Sequence, residues 1–200
     1  MTNKNKKIPR TLPTLTLSSI EEAKKVFAVL QAANINSIEV TLRPSVSDDA
    51  IEFLSNQPEI NLGLGTVLSV TQLLKFKNLN ISYVVSPGFN EEVHNYCRLG
   101  EITYIPGVET ASEVMRMMSF GLNQLKFFPA EQSGGTEKLK AFYAVFPSIT
   151  FLCTGGIDLN NYKQYVELPN VFAVGGSFVL PKEFLNTDDT ERAIEYLRML

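Results

Sequence analysis

Apolar residues fall along this 200-residue chain in two alternating rhythms. Short dense runs, such as IEVTL at 38–42 and QLKFF at 124–128, carry apolar side chains at alternate places or nearly without a break. That is the mark of strands covered on one or both faces. Between the runs, apolar residues return every third or fourth place, as Val26, Val29, Leu30 and Ala33 do, which is the spacing of one helix face. In order, the runs predict strands over 11–17, 37–43, 60–66, 81–86, 103–106, the stretch around Lys126, 149–154 and 171–175. Helices are predicted from a Ser18 or Ser19 cap to 33, then over 47–56, 70–77, 91–99, 110–120, 136–146, 159–166 and 190–200.

Eight strands, each followed by a helix, make the alternation of a (β/α)8 barrel, here a compact one with short loops. A doubly wound open sheet would call for a Gly-x-Gly-x-x-Gly turn after the first strand, and the sequence has none there. No change of composition divides 11–200, so one domain is expected, preceded by a polar basic tail over 1–10.

Charge and composition narrow the chemistry. A net charge of −3 supplies no field for nucleic acid, and Lys4, Lys6, Lys7 and Arg10 read as a solvated arm. No apolar run approaches the ~18 residues of a membrane span. Positions 8–17, broken by Arg10, two prolines and three threonines, make a poor signal peptide. Cys97 and Cys153 are too few for a disulfide framework, so a cytoplasmic protein with reduced thiols is expected. The one histidine, His94, reads as a surface residue of its helix, and no set of ligands has the spacing of a metal site.

The candidate chemistry begins at Lys126, a lysine inside an apolar strand. Such a side chain is costly to bury unless it is paired, neutral or used. One reading is a lysine reaching out from a strand end into a salt bridge. The other is an amine whose pKa burial lowers, leaving it able to attack a carbonyl. Alternation places Gln124, Lys126 and Phe128 on one face and Leu125 and Phe127 on the other. In the second strand it groups Glu39, Thr41 and Arg43 against Ile38, Val40 and Leu42. The apolar sets must meet the helices, so a glutamate, an arginine and a lysine share the barrel interior. A buried ion pair would gain little over apolar packing. An amine beside a carboxylate is also what Schiff-base chemistry requires. Two glycine pairs, Gly155–Gly156 and Gly175–Gly176, follow the seventh and eighth strands, where barrels of this kind often hold phosphate.

IEVTLR at 38–43, GLGTV at 63–67, SPG at 86–88, IPGV at 105–108, KFFPAE at 126–131, TGGI at 154–157 and GGS at 175–177 occur in that order. Together they closely resemble the 2-keto-3-deoxy-6-phosphogluconate (KDPG) aldolase family, class I aldolases that often also accept 4-hydroxy-2-oxoglutarate. The resemblance implies a Schiff base on Lys126 and a proton shuttle at Glu39. It implies that Arg43 and Thr66 hold the carboxylate of the keto acid, that Thr154 influences stereochemistry, and that Pro87 and Phe128 line the pocket. It further implies that Gly155, Gly156, Gly176 and Ser177 hold the phosphate of a phosphorylated keto acid. No metal or cofactor is implied. A cytoplasmic homotrimer in Entner–Doudoroff carbohydrate metabolism is. Two departures stand out: Thr16 takes a place where some relatives have arginine, and the segment before the first strand is short. The related galactonate aldolase, acting on the C4 epimer, and a non-catalytic phospho-ligand barrel are the alternatives.

Overall fold

Strands that are apolar toward the helices and crowded inward need cover on both faces, and this chain supplies it by closing its sheet into a ring. The computed structural model describes residues 7–185 and 190–200. Its elements are β1 (Thr11–Leu15), α1 (Ile20–Ala32), β2 (Ser37–Thr41), α2 (Asp48–Ser55), β3 (Asn61–Gly65) and α3 (Val70–Leu74). Next come β4 (Tyr83–Val85), α4 (Glu91–Leu99), β5 (Thr103–Ile105), β6 (Gly107–Val108), α5 (Ala111–Ser119) and β7 (Gln124–Phe127). The chain ends with α6 (Gly135–Val145), β8 (Thr150–Cys153), α7 (Tyr162–Val166), β9 (Val171–Gly176), a 3-10 turn at Lys182–Phe184 and α8 (Thr190–Met199).

All pairings are parallel, in the order β5-β4-β3-β2-β1-β9-β8-β7-β6. The fifth predicted strand runs on to Val108 and is split at Pro106, which has no N–H to give a ladder. Its first half pairs with β4 and its second with β7. The Lys126 N–H donates to the Pro106 carbonyl at 2.8 Å, so this one stave closes the ring. The fold is therefore the expected eight-stave barrel. Ser19 is the cap of α1, accepting the Glu22 N–H at 3.1 Å, while the Ser18 N–H donates to the Glu22 carboxylate.

Alternation sorts the side chains as expected. Ile38, Val40, Leu62 and Leu64 face outward and pack with Val26, Leu30, Ile51 and Leu54 of the helices. Leu125, Phe127, Phe151 and Cys153 do the same against Val114, Leu139, Phe142 and Tyr165. Inside the ring, Leu12, Tyr83, Val85, Ile105, Leu152 and Ala173 form a separate apolar cluster. At the N-terminal mouth, a cavity of about 1350 Å³ has Ile8, Arg10, Asn61, Tyr83 and Phe172 among its lining residues. Ile8 packs against the inner cluster, and Arg10 donates to the Val171 carbonyl at 2.7 Å. The basic residues Lys4 and Lys6 lie outside the described residues.

His94 corrects the sequence reading. It is only 8% exposed, and its ring packs against Phe89 and Phe120 with centroids 6.0 and 5.4 Å away. It lies on the inward face of α4 with Val93 and Cys97, under rings contributed from outside that helix, which the local pattern does not show. Cys97 and Cys153 are free and buried, and burial pushes the Cys97 thiol up to about 12. Among the described residues, no helix is long and apolar enough to cross a membrane, and no group of three or more His, Cys, Asp or Glu is placed to hold a metal.

The SPG loop rests on the split stave: a Cβ on Gly107 would lie 2.1 Å from the Pro87 carbonyl oxygen. That atom is backbone and cannot swing away. Gly107→Val is expected to cost about 1–3 kcal/mol, read as a lower urea midpoint.

Candidate active site

Glu39 and Lys126 come from staves on opposite sides of the ring, and both point into it. In the ladder, Glu39 is level with Thr14 of β1 and Gly63 of β3, and Lys126 with Gly107 and Leu152. Glu39 is fully buried and Lys126 is 6% exposed. The carboxyl leans toward the C-terminal mouth, because a Cβ built on Gly65 would come within 2.0 Å of its Oε1. The Lys126 Nζ lies 5.0 Å from the centre of the Phe128 ring.

Among the described residues, neither Glu39 oxygen has a hydrogen-bond partner. Burial pushes this carboxyl above its ordinary range, opposed in part by the Lys126 ammonium and, more weakly, by Arg43. The amine is thus near enough to bias the carboxyl and yet not bonded to it. A carboxyl whose pKa burial raises, held opposite an amine, is suited to passing a proton in either direction.

Around this pair the other expected residues fall into two groups. Toward one side, Thr66 follows β3, half-buried, with φ of 57°. That left-handed conformation is rare for a β-branched residue and implies local strain. Arg43 ends the neighbouring stave, exposed at the rim. Pro87 is half-buried above Gly107, and Phe128 is half-buried beside the amine. Toward the other side, Thr154 is buried with its hydroxyl unpartnered among the described residues. Gly155 and Gly156 have φ of 95° and 77°, which only glycine adopts without strain. A Cβ on Gly155 would sit 2.9 Å from Pro129 Cα, so the turn lies hard against the PAE segment. The Ala130 and Glu131 N–H groups bind the Thr154 and Gly155 carbonyls at 2.9 and 3.1 Å. Among the described residues, no acceptor takes the N–H groups of Gly155, Gly156 or Ser177. Gly176 is half-buried and Ser177 exposed at the same end.

Three features escaped the sequence reading. Thr16 Oγ1 lies 2.5 Å from Thr41 Oγ1, tying β1 to β2 beside the pair. The Glu131 carboxylate accepts a short hydrogen bond from the Tyr165 hydroxyl. Tyr83 lies across Gly63 inside the ring and donates to the Ile38 carbonyl at 2.8 Å. The one local sign of this last contact was the Gly-x-Gly spacing of β3, which clears two inward places beside Glu39.

An eight-stave parallel barrel with an amine facing a carboxyl inside it belongs to the class of (β/α)8 barrels that carry ionisable groups in their interior. Residues 2–196 match the family model "Aldolase: KDPG and KHG aldolase". The 2-dehydro-3-deoxy-phosphogluconate aldolase of Treponema pallidum is 38% identical over 181 residues, covering 90% of this chain and 86% of its own. The KHG/KDPG aldolase of Escherichia coli K12 is 36% identical over 188 residues, covering 94% and 88%. A crystal structure of KDPG aldolase from Legionella pneumophila, with pyruvate captured as a covalent carbinolamine, is 36% identical with a TM-score of 0.90, covering 96% of this chain and 94% of that one. The chain belongs to the KDPG and KHG aldolase family; it is an aldolase.

The raised Glu39 carboxyl also sets a pH dependence of stability. Its folded pKa lies above the unfolded value of 4.5, so the folded state prefers it protonated. That preference stabilises the protein fully below 4.5 and is lost as pH rises through the folded pKa. Glu39→Gln is therefore expected to melt above the wild type at pH 7, by about 2–4 °C for each kcal/mol relieved, with the gap closing toward pH 4.5.

Proposed function

We propose that this protein cleaves 2-keto-3-deoxy-6-phosphogluconate to pyruvate and glyceraldehyde 3-phosphate through a Schiff base on Lys126. The observation that carries the reading is the buried Glu39 carboxyl facing the Lys126 amine without bonding to it. In its free-base form the amine adds to the C2 ketone, and loss of water gives an iminium. Glu39 takes the proton of the C4 hydroxyl as the C3–C4 bond breaks, and the electron pair moves into the iminium to leave an enamine. Glyceraldehyde 3-phosphate departs. The enamine is protonated at C3, and hydrolysis releases pyruvate and the free amine.

Arg43 and Thr66 orient the keto-acid carboxylate, the first by charge at the rim and the second from its strained position. Pro87 and Phe128 wall the pocket, and Thr154 offers its buried hydroxyl to the cleaved carbon. The N–H groups of Gly155, Gly156 and Ser177, with Gly176 giving room for the turn, form the anion cradle for the phosphate. The same site is proposed to accept 4-hydroxy-2-oxoglutarate, as the name of the E. coli relative indicates for that protein. A cytoplasmic homotrimer completes the reading, for which the exposed Met115 and Met118 of α5 offer apolar surface.

Borohydride reduction with pyruvate should add one pyruvate-derived mass to Lys126, located by peptide mass spectrometry. An unmodified lysine with intact protein would sink the mechanism. Glu39→Gln should keep the adduct while turnover falls about 10²- to 10⁴-fold. Thr66→Gly should release backbone strain, raising stability by about 1 kcal/mol while weakening keto-acid binding, measured by thermal melts and by KM.

A further inference from the structure

Tyr83 is part of no role assigned above, yet it lies directly beside the proton shuttle. Across the ladder, Glu39 is level with Gly63 and Gly63 with Tyr83. A Cβ on Gly63 would come within 2.0 Å of Tyr83 Cε2, so the ring fills the space over that glycine. It reaches past β3 to β2, where its hydroxyl donates to the carbonyl of Ile38, the residue before Glu39. The Glu39 side chain is level with the same glycine and cannot occupy that space. It leans instead over Gly65, one place nearer the C-terminal mouth. On its other side the ring lines the cavity of about 1350 Å³ at the N-terminal mouth. Tyr83 is itself 2% exposed.

We infer that Tyr83 is a positioning residue: its ring occupies the space over Gly63, turns the Glu39 carboxyl up toward Lys126, and closes the floor of the site against the cavity below. The inference rests on the proposed role of Glu39. The ring, rather than the hydroxyl, does this work, because it is ring carbons that exclude the carboxyl from Gly63. The electrostatics agree, since burial is the largest influence on the Glu39 carboxyl and the Glu39 charge helps to push the Tyr83 phenol up. The charged groups that act on Glu39 are Lys126 from β7 and Arg43 from just past its own strand, and the Glu39 charge in turn acts on the Tyr83 phenol of β4. Thr14 of β1 and Thr16 and Thr154, just past β1 and β8, do not titrate, and β3 presents glycine at both places beside Glu39.

The test uses the full chain and three variants, with folding checked by circular dichroism. Tyr83→Leu opens the space over Gly63, so kcat is expected to fall about 10- to 100-fold with little change in KM. Its borohydride adduct with pyruvate on Lys126 should persist. The acid limb of its kcat profile should move to lower pH, because water reaching the carboxyl through the floor relieves its desolvation. Tyr83→Phe keeps the ring and should restore kcat and the profile. Gly63→Ala, which crowds the ring from the other side, should reproduce the loss. A Tyr83→Leu protein with wild-type kcat and pH profile, or a folded Tyr83→Phe as impaired as Tyr83→Leu, overturns the inference. Wild-type protein that neither turns over nor traps pyruvate overturns the reading of Glu39 and Lys126 itself, and this inference falls with it.

Discussion

An ionisable carboxyl held inside a closed ring of strands, with no hydrogen bond to either oxygen among the described residues, is the constraint on which this molecule turns. Desolvation of such a group costs several kcal/mol in its charged form. Lys126 across the interior and Arg43 at the rim return only part of that, since the carboxyl stays above its ordinary range. The barrel can hold it because the outer layer carries the burden of stability. Strand faces such as Ile38, Val40, Leu125 and Phe127 are sealed under helices on both halves of the ring. The interior is thereby free to keep groups that packing alone would reject.

Space is the second demand, and glycine meets it in two distinct ways. Inside the ring, Gly63 and Gly65 are needed because Tyr83 and Glu39 already fill the volume a side chain would take. Neither has a positive φ; their value is the missing Cβ. At the TGG turn the reverse holds. Gly155 and Gly156 are in left-handed conformations that turn the backbone out of the strand and leave N–H groups without acceptors among the described residues. Thr66 takes a similar conformation without being glycine and carries the strain that goes with it.

Most of the barrel was legible in the sequence because two periods, two and 3.6, reported which face each element would bury. Alternation in IEVTLR and QLKF was enough to point Glu39 and Lys126 inward. The strand ends were less legible. Arg43 and Thr66 were expected within strands and lie just past them, since the ladder stops where the chain turns to form the rim. The split at Pro106 was hidden because sequence period does not say which neighbour each half of a stave pairs with. His94 was misplaced for a related reason: its cover comes from Phe120, distant in the chain. Tyr83 went unremarked inside the strand expected over 81–86, because a contact that reaches across β3 to β2 depends on register, which no local pattern reports.

The site treats the two ends of its substrate differently on the proposed reading. The keto-acid half meets side chains: an amine that must reach one carbon, a guanidinium at the rim, and a threonine fixed by backbone strain. These contacts are directional, and a small displacement of any of them misplaces the reacting atoms. The far half meets mainly backbone N–H groups of the TGG and GGS turns, together with one unpartnered threonine hydroxyl. Backbone donors in a turn bind negative charge with little regard for whether phosphorus or carbon bears it. A barrel built this way is strict about the 2-keto acid it activates and permissive about the anion at the other end. One Schiff-base site can then serve both a phosphorylated six-carbon keto acid and a shorter dicarboxylic one, with the difference in affinity set by how many N–H groups each anion reaches.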